Sequence, residues 1–149
     1  MQFSDNTLKL LFAIFSIVMF SLYSSSIFIT GEAKTYQFIL ALSGALYSYK
    51  FSDIYKSNNS IENLIKRKDG KLEICSIKLF PFANKLRVEL IEVSRISIAS
   101  IGKNWLSIII DGNGNGFDFQ LLGSKDDIET HIKSLLLEQE ASKIDFRHT

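Results

Sequence analysis

The sequence predicts an α+β protein: an N-terminal transmembrane helical hairpin, followed by a small antiparallel β-sheet or partly open barrel that a C-terminal amphipathic helix caps. Two long uncharged segments near the N-terminus predict the hairpin. The middle of the chain alternates apolar and polar residues with a period of two, which indicates strands, and the period then returns to that of a helix. Residues 1–56 and 57–149 are therefore expected to form separate domains.

The first uncharged segment runs from Leu10 to Ile29. At about 1.5 Å of rise per residue, a helix of this length spans roughly the 30 Å of a bilayer's hydrocarbon core. We predict a membrane helix over about 8–30. A cleaved signal peptide is the alternative, because small residues flank Glu32 at Gly31 and Ala33. The long apolar core and the absence of a strongly positive start favour an anchor.

A second uncharged segment, Thr35 to Tyr49, follows after a very short link, which predicts an immediate return across the membrane. Lys50 can extend its amine to the interface, so this helix is expected over about 35–55. The small residues Ser43 and Gly44 allow close packing against the first helix. The alternative is a buried core helix of a soluble protein, since the segment is short for a span.

The distribution of basic residues predicts the orientation of this hairpin. The link between the two helices holds only Lys34, whereas the chain after the second helix holds Lys50, Lys56, Lys66, Arg67 and Lys68. Both termini are therefore expected in the cytoplasm. The whole chain is expected to be a multi-pass protein of a bacterial inner membrane.

Beyond the polar segment 57–60, short alternating segments predict strands. They lie at Leu72 to Phe80, with a bulge near Cys75 and Ser76, and around Leu86 to Leu90, Ile96 to Ile98, Leu106 to Ile110 and Phe117 to Leu121. Turn signals separate them at Lys68 to Gly70, Pro81 to Asn84, Gly102 to Asn104 and Asp111 to Gly116. Strands this short, joined by such turns, predict an antiparallel meander.

The C-terminal helix is predicted over about 124–140. Ser124 and Asp127 have the spacing of a capping box. Ile128, Ile132, Leu135 and Leu136 then fall on one face, as in a helix that covers a sheet. The last residues, Lys143 to Thr149, are expected to fray.

The segments KLRVELIEVSRISI, NWLSIIID, GFDFQLL and SKDDIETHIKSLLLE resemble, behind such a hairpin, the bacterial pleckstrin-homology-like domain family. The resemblance covers roughly residues 61–140 and is one of pattern. It implies a bent sheet or barrel capped by the helix, a fold that hosts scaffolds and binders of lipids or peptides alike. The chain departs from the seven-strand count, because the first strand must lie in Ile61 to Arg67, where a helical turn fits as well.

Four basic residues, Lys66, Arg67, Lys68 and Lys71, form the one basic cluster of the predicted domain. In pleckstrin-like proteins that bind phosphoinositides, the first inter-strand loop resembles this arrangement. We hypothesise that the cluster contacts anionic lipid headgroups. The alternative is a solvated positive flank of the membrane segment with no dedicated ligand.

Asp111, Asn113 and Asn115 match the first half of a calcium-binding loop. Its twelfth position is Leu122, where a bidentate acid is required, and strands replace the flanking helices. The segment is therefore predicted to be a hairpin turn, and neither a metal nor a cofactor is predicted. His131 and His148 have no partners at metal-ligand spacing.

The chain has 17 Lys and Arg against 16 Asp and Glu, a balance that argues against a nucleic-acid surface. No convergent catalytic group is recognisable, so we predict a non-catalytic protein that presents a cytoplasmic binding or assembly surface. Its partners would be the lipid bilayer and either an unknown protein or further copies in a homo-oligomer, which an open sheet edge would favour. The alternatives are an immunity or inhibitor protein that binds a toxin, and an accessory subunit of a membrane complex.

Overall fold

The structure is a computed structural model that describes residues 3–79 and 88–149. It consists of helices and two small sheets, so the predicted α+β class is confirmed. The chain divides into two compact units, Met1–Ser57 and Asn58–Thr149. The turn predicted at Pro81 to Asn84 and the strand start at Leu86 lie outside the described residues.

The first unit begins with helix α1, Asp5–Thr30. Ser4 caps its start by accepting a hydrogen bond from the backbone N–H of Thr7 at 3.2 Å, and Gly31 ends it with a φ of 69°, which glycine adopts without strain. By length and composition, α1 is the one helix of the described residues that could cross a membrane. Its apolar side chains are largely exposed in the isolated chain, Phe28 to 89%.

Helix α2, Thr35–Lys50, packs side by side with α1. Gly44 allows the close approach: a Cβ at this position would lie 3.1 Å from the carbonyl oxygen of Phe12 and 3.1 Å from the Cβ of Ser16. The backbones of α1 and α2 therefore approach each other at Gly44, where α2 has no side chain.

Hydroxyl groups link the two helices along their length. Ser16 donates to the carbonyl of Ala41 at 2.7 Å, and Ser48 donates to the carbonyl of Lys9 at 3.0 Å. Near the link between the helices, the buried Ser26 donates to the Gln37 side chain. The sequence separation of these contacts shortens toward the link, as an antiparallel pair requires.

The helix predicted over 35–55 is two helices, because α2 ends at Lys50 and α3 covers Asp53–Asn58. The interruption is at Ser52, whose hydroxyl accepts a hydrogen bond from the backbone N–H of Tyr55 at 3.1 Å. This is the capping interaction by which serine competes with a continuous helix.

Within its described residues, 58–79 and 88–149, the second unit holds one short helix, six strands, two further helices and a last strand. They are α4 (Ile61–Leu64), β1 (Ile65–Lys68), β2 (Lys71–Cys75), β3 (Val88–Glu92), β4 (Ile96–Gly102), β5 (Trp105–Ile110), β6 (Gly116–Gln120), α5 (Lys125–Leu135), α6 (Glu138–Ala141) and β7 (Asp145–His148). A single 3₁₀ turn, Val93–Arg95, joins β3 to β4. The segment Ile61 to Arg67, for which both a strand and a helical turn were considered, thus forms the helical turn α4 followed by the strand β1.

Strands β1, β2 and β3 form an antiparallel sheet in that order, here named sheet A. The turn between β1 and β2 has positive φ at both Asp69 (49°) and Gly70 (73°), the geometry of a tight hairpin turn. β2 ends at Cys75, near the predicted bulge. The chain then crosses to the other sheet, where the N–H of Ile77 donates to the carbonyl of Gln120 at 2.9 Å.

Sheet B has the order β6-β5-β4-β7, and the described strands do not form a closed barrel. β4, β5 and β6 are antiparallel, but β7 pairs with β4 in parallel, with Ala99 opposite Phe146. The predicted antiparallel pairing is therefore found in sheet A and among β4, β5 and β6, whereas the parallel pair of β4 with β7 was not predicted. The expected fraying of the last residues was wrong, because Asp145–His148 form β7 and pair with β4. The sequence did not indicate this pairing, since β4 is distant along the chain.

Helix α5 begins with the predicted capping box, in which Ser124 and Asp127 each bond the other's backbone N–H. It ends earlier than predicted, because Leu136 leaves the helical conformation, and α6 follows. The buried Ile128 and Ile132 of α5 pack into one apolar core with the inward residues of both sheets. The helix thus covers a sheet, as its pattern indicates.

Candidate interaction surface

The predicted basic cluster lies in β1 and at the start of β2, and strand alternation divides it. Lys68 pairs with Lys71 across the ladder, and Lys66 pairs with Glu73, so these side chains share the outer face of sheet A. Arg67 is opposite the buried Leu72 and points to the other face. The structure therefore brings together three of the four predicted residues.

Arg67 is held by the C-terminal part of the second unit. Its guanidinium contacts both carboxylate oxygens of Glu140, at 2.6 and 2.9 Å, and donates to the carbonyl of Leu135 at 2.8 Å. These hydrogen bonds from Arg67, with one from the backbone N–H of Leu137, lower the pKa of Glu140 to about 2. Arg67 thus joins β1 to the end of α5 and to α6, and its charge is already compensated.

The outer face of sheet A carries lysines on β1 and β2 and an exposed leucine on β3. Leu90 of β3 is 59% exposed and lies opposite Glu73 in the ladder. A shallow concavity of about 310 Å³ is lined by Lys68, Asp69, Lys71, Glu73 and Leu90. An exposed apolar side chain with lysines beside it suits a membrane surface, which has anionic headgroups outside and an apolar interior.

Carboxylates moderate the positive charge of this face. Lys71 lies 3.4 Å from Glu92, and both side chains are more than two-fifths exposed. An exposed pair of this kind contributes little to stability and can exchange partners. Lys68 and Lys71 line the concavity with Leu90, and Lys66 lies on the same face, opposite Glu73.

The segment from Asp111 to Gly116 joins β5 to β6. The Asp111 carboxylate accepts hydrogen bonds from Arg95 at 3.1 and 2.5 Å, and these bonds lower the pKa of Asp111. Asn113 accepts from the backbone N–H of Asn115 at 3.0 Å. The side chains of Asp111 and Asn113 therefore have roles within the turn, and Asn115 bonds there through its backbone. Within residues 3–79 and 88–149, no three His, Cys, Asp or Glu side chains converge as a metal site would require.

The two histidines tie α5 to the strands. The Nε2 atom of His131 lies 3.0 Å from the carbonyl oxygen of Ile65, and His148 contacts Glu129. The other oxygen of Glu129 is 2.6 Å from the amine of Lys133. Hydrogen bonds from Lys133 and His148 lower the pKa of Glu129. These polar groups hold the fold together.

A second concavity, of about 110 Å³, lies between the two sheets. It is lined by Lys71, Leu90, Ile91, Glu92, Arg95, Ile110 and Phe117. Through Leu90 it adjoins the outer face of sheet A, here called the lysine face because it carries Lys66, Lys68 and Lys71. The concavity and the lysine face form one continuous amphipathic region. The sequence did not predict this groove, because it joins β3 to strands that belong to the other sheet.

No family model, curated protein or solved structure matches the chain.

Proposed function

We propose that this protein is a non-catalytic membrane-anchored adaptor whose second unit is a pleckstrin-homology-like domain with a cytoplasmic binding surface. The observation that carries the proposal is α1, a helix long and apolar enough for a span, whose apolar side chains are left open in the isolated chain. A bilayer would cover them.

The contacts between α1 and α2 support a hairpin in which both helices cross the membrane. In a bilayer, helices associate through small residues and through hydroxyl groups that bond across the interface. Gly44, Ser16 and Ser48 supply both kinds of contact. At 16 residues α2 covers about 24 Å, which requires a thinned bilayer or interfacial side chains such as Lys50 at its end.

Cysteine accessibility tests the anchor and its topology in the full chain. The buried Cys75 is replaced by Ala, and single cysteines are introduced as Ala33→Cys in the link between the helices and Asn113→Cys in the β5–β6 turn. We expect an impermeant maleimide to label only the first in intact cells, and both after lysis. Labelling of both in intact cells would show that α2 does not cross. A shortened mature protein that alkaline carbonate extracts from membranes would show a cleaved signal peptide and overturn the proposal.

The binding surface that we propose is the lysine face of sheet A, and its ligand is an anionic lipid headgroup of the cytoplasmic leaflet. Each lysine near such a surface contributes about 1 kcal/mol, and Glu73 and Glu92 reduce the total. Leu90, on the neighbouring strand β3, would enter the interfacial region beside the lysines. Arg67 is excluded from this role by its contacts with Glu140.

Reconstituted full-length protein tests the lipid contact. An environment-sensitive fluorophore is placed at Leu90→Cys in the Cys75→Ala background. We expect a blue shift in vesicles with anionic lipid, weaker at high salt, and little shift in neutral vesicles. Changing Lys66, Lys68 and Lys71 to Gln should abolish it, whereas the matched change of Lys103, Lys125 and Lys143 should not. Equal shifts in both triple variants would exclude this surface.

A further inference from the structure

Strand β7 is the outermost strand of sheet B among the described strands, and its far side is unpaired there. The N–H of Thr149 donates to the carbonyl of Ile101 at 3.1 Å, and Ile101 is the ladder partner of His148. Backbone groups alternate in direction along a strand. Those of Asp145 and Arg147 therefore face β4, and those of Phe146 and His148 face the open side.

The side chains of β7 alternate as well. Phe146 is partly buried against the core, under the Lys133 amine of α5. Asp145 and Arg147 lie on the opposite face, where they contact each other at 2.6 Å with both side chains more than half exposed. Asp145 and Arg147, which carry opposite charges, thus flank Phe146, whose backbone N–H and carbonyl face the open side of the sheet.

We propose that β7 pairs antiparallel with β7 of a second copy of this chain, about a twofold axis at Phe146. The two Phe146 residues would exchange both backbone hydrogen bonds. The ladder would place Asp145 of each copy directly opposite Arg147 of the other, as closely spaced pairs without backbone bonds between them. Opposite charges in such cross-strand pairs stabilise the pairing.

The charges select this register over its neighbours. Sliding one copy by two residues along the ladder places Asp145 of one copy opposite Asp145 of the other. Sliding it by two residues the other way places Arg147 opposite Arg147. Both arrangements set like charges against each other, which destabilises the pair. Sliding by a single residue sets a residue whose backbone faces outward opposite one whose backbone faces β4, so the backbone hydrogen bonds between the copies cannot form. The edge is complementary to itself in one register.

The inference rests on the proposed function, because a four-residue strand gives a weak interface in solution. Two copies held in one membrane meet at a much higher effective concentration. Pairing would then extend sheet B across the twofold axis into one eight-stranded sheet.

Charge reversal in full-length, differently tagged copies tests this pairing. The copies are co-expressed, dissolved from membranes in mild detergent and captured by one tag. We expect Asp145→Arg in both copies, or Arg147→Asp in both, to reduce co-capture at least about fivefold, because both cross-strand pairs become repulsive. One copy with Asp145→Arg and one with Arg147→Asp should restore it, since both pairs are then attractive again. That recovery also shows that both variants fold.

A disulfide provides the second measurement of the register. In the Cys75→Ala background, Asp145→Cys in one copy should cross-link to Arg147→Cys in the other, since opposite residues of a closely spaced pair are about 4.5 Å apart between Cα atoms. Asp145→Cys paired with itself should cross-link poorly. Equal co-capture in every charge combination, or equal cross-linking, would overturn the β7 pairing. Carbonate extraction of the same membranes reports on the anchor separately, so each proposal can fail alone.

Discussion

Arg67 of β1 and Glu140 of α6 form a two-point ion pair, at 2.6 and 2.9 Å, between residues far apart in sequence. Each side chain is only about a quarter exposed. The pair turns the most prominent basic segment of the chain into a structural contact. Arg67, which was predicted to contact lipid headgroups, instead joins β1 to α6 through this ion pair, here called the clasp.

The clasp predicts a pH dependence of stability. The pKa of Glu140 is lowered from its ordinary value of 4.5 to about 2 in the folded chain. Its stabilising effect is therefore complete above pH about 4.5 and is lost as the pH falls toward 2. Thermal unfolding of the wild type and of Arg67→Met should differ most near pH 6, and the difference should shrink steadily as the pH falls from about 4.5 toward 2. A gap of constant size across this range would contradict the assignment, and Lys66→Met serves as the matched exposed control.

Gly44 predicts a steric limit on the helix pair. The side chain of Gly44→Val would meet the backbone of Phe12 and the Cβ of Ser16 at about van der Waals contact or closer. We expect a loss of about 1–3 kcal/mol in the packing of α1 and α2, the usual cost of overpacking. Protease resistance and thermal denaturation in detergent measure it. The neighbouring Ala45→Val, at an exposed position, should behave as the wild type, and equal effects of the two changes would argue against the contact.

Gly102 predicts a packing contact that the single tryptophan reports. A Cβ on Gly102 would overlap the indole ring of Trp105, which lies against the bare backbone. Gly102→Ala should therefore displace the ring, shift the Trp105 emission and lower stability by about 1–3 kcal/mol. Fluorescence-monitored unfolding measures both effects. Lys103→Ala in the same turn is the control, and an unchanged emission maximum in Gly102→Ala would refute the contact.

Asp111 predicts that calcium does not bind in the β5–β6 turn. Its carboxylate is held by Arg95, and the acid required at the twelfth position is absent. The melting temperature should therefore be the same in millimolar calcium and in EDTA. Arg95→Gln frees the carboxylate and should destabilise the turn, and it should still produce no calcium-dependent shift. A rise in melting temperature with calcium in either protein would show a metal site.

The local patterns of the sequence predicted most of the elements. An uncharged segment is sufficient to indicate α1, and the Ser124 capping box predicted the start of α5, because each depends on residues a few positions apart. Glycine and asparagine predicted the turns after β4 and β5 for the same reason. The interruption at Ser52 was missed, although a serine followed by an aspartate is a signal for a new helix start.

The long-range contacts could not be predicted in this way. Asp145 to His148 has no pattern that indicates pairing with β4, because the strand is short and polar and its partner is distant in sequence. The separation of Arg67 from Lys66 and Lys68 was within reach of the sequence, since placing all three on one strand puts Arg67 on the other face. Its partner Glu140 gave no such signal.

The pairing of β7 with β4 has a consequence for the order in which sheet B can form. Chains fold from the N-terminus as they are made, and β4, β5 and β6 all precede β7 in the sequence. Strand β4 must therefore wait for β7, which follows α5 and α6, before its open side is covered. A variant in which Asp145 to His148 cannot pair would leave Ala99 and Ile101 at an exposed edge of the sheet.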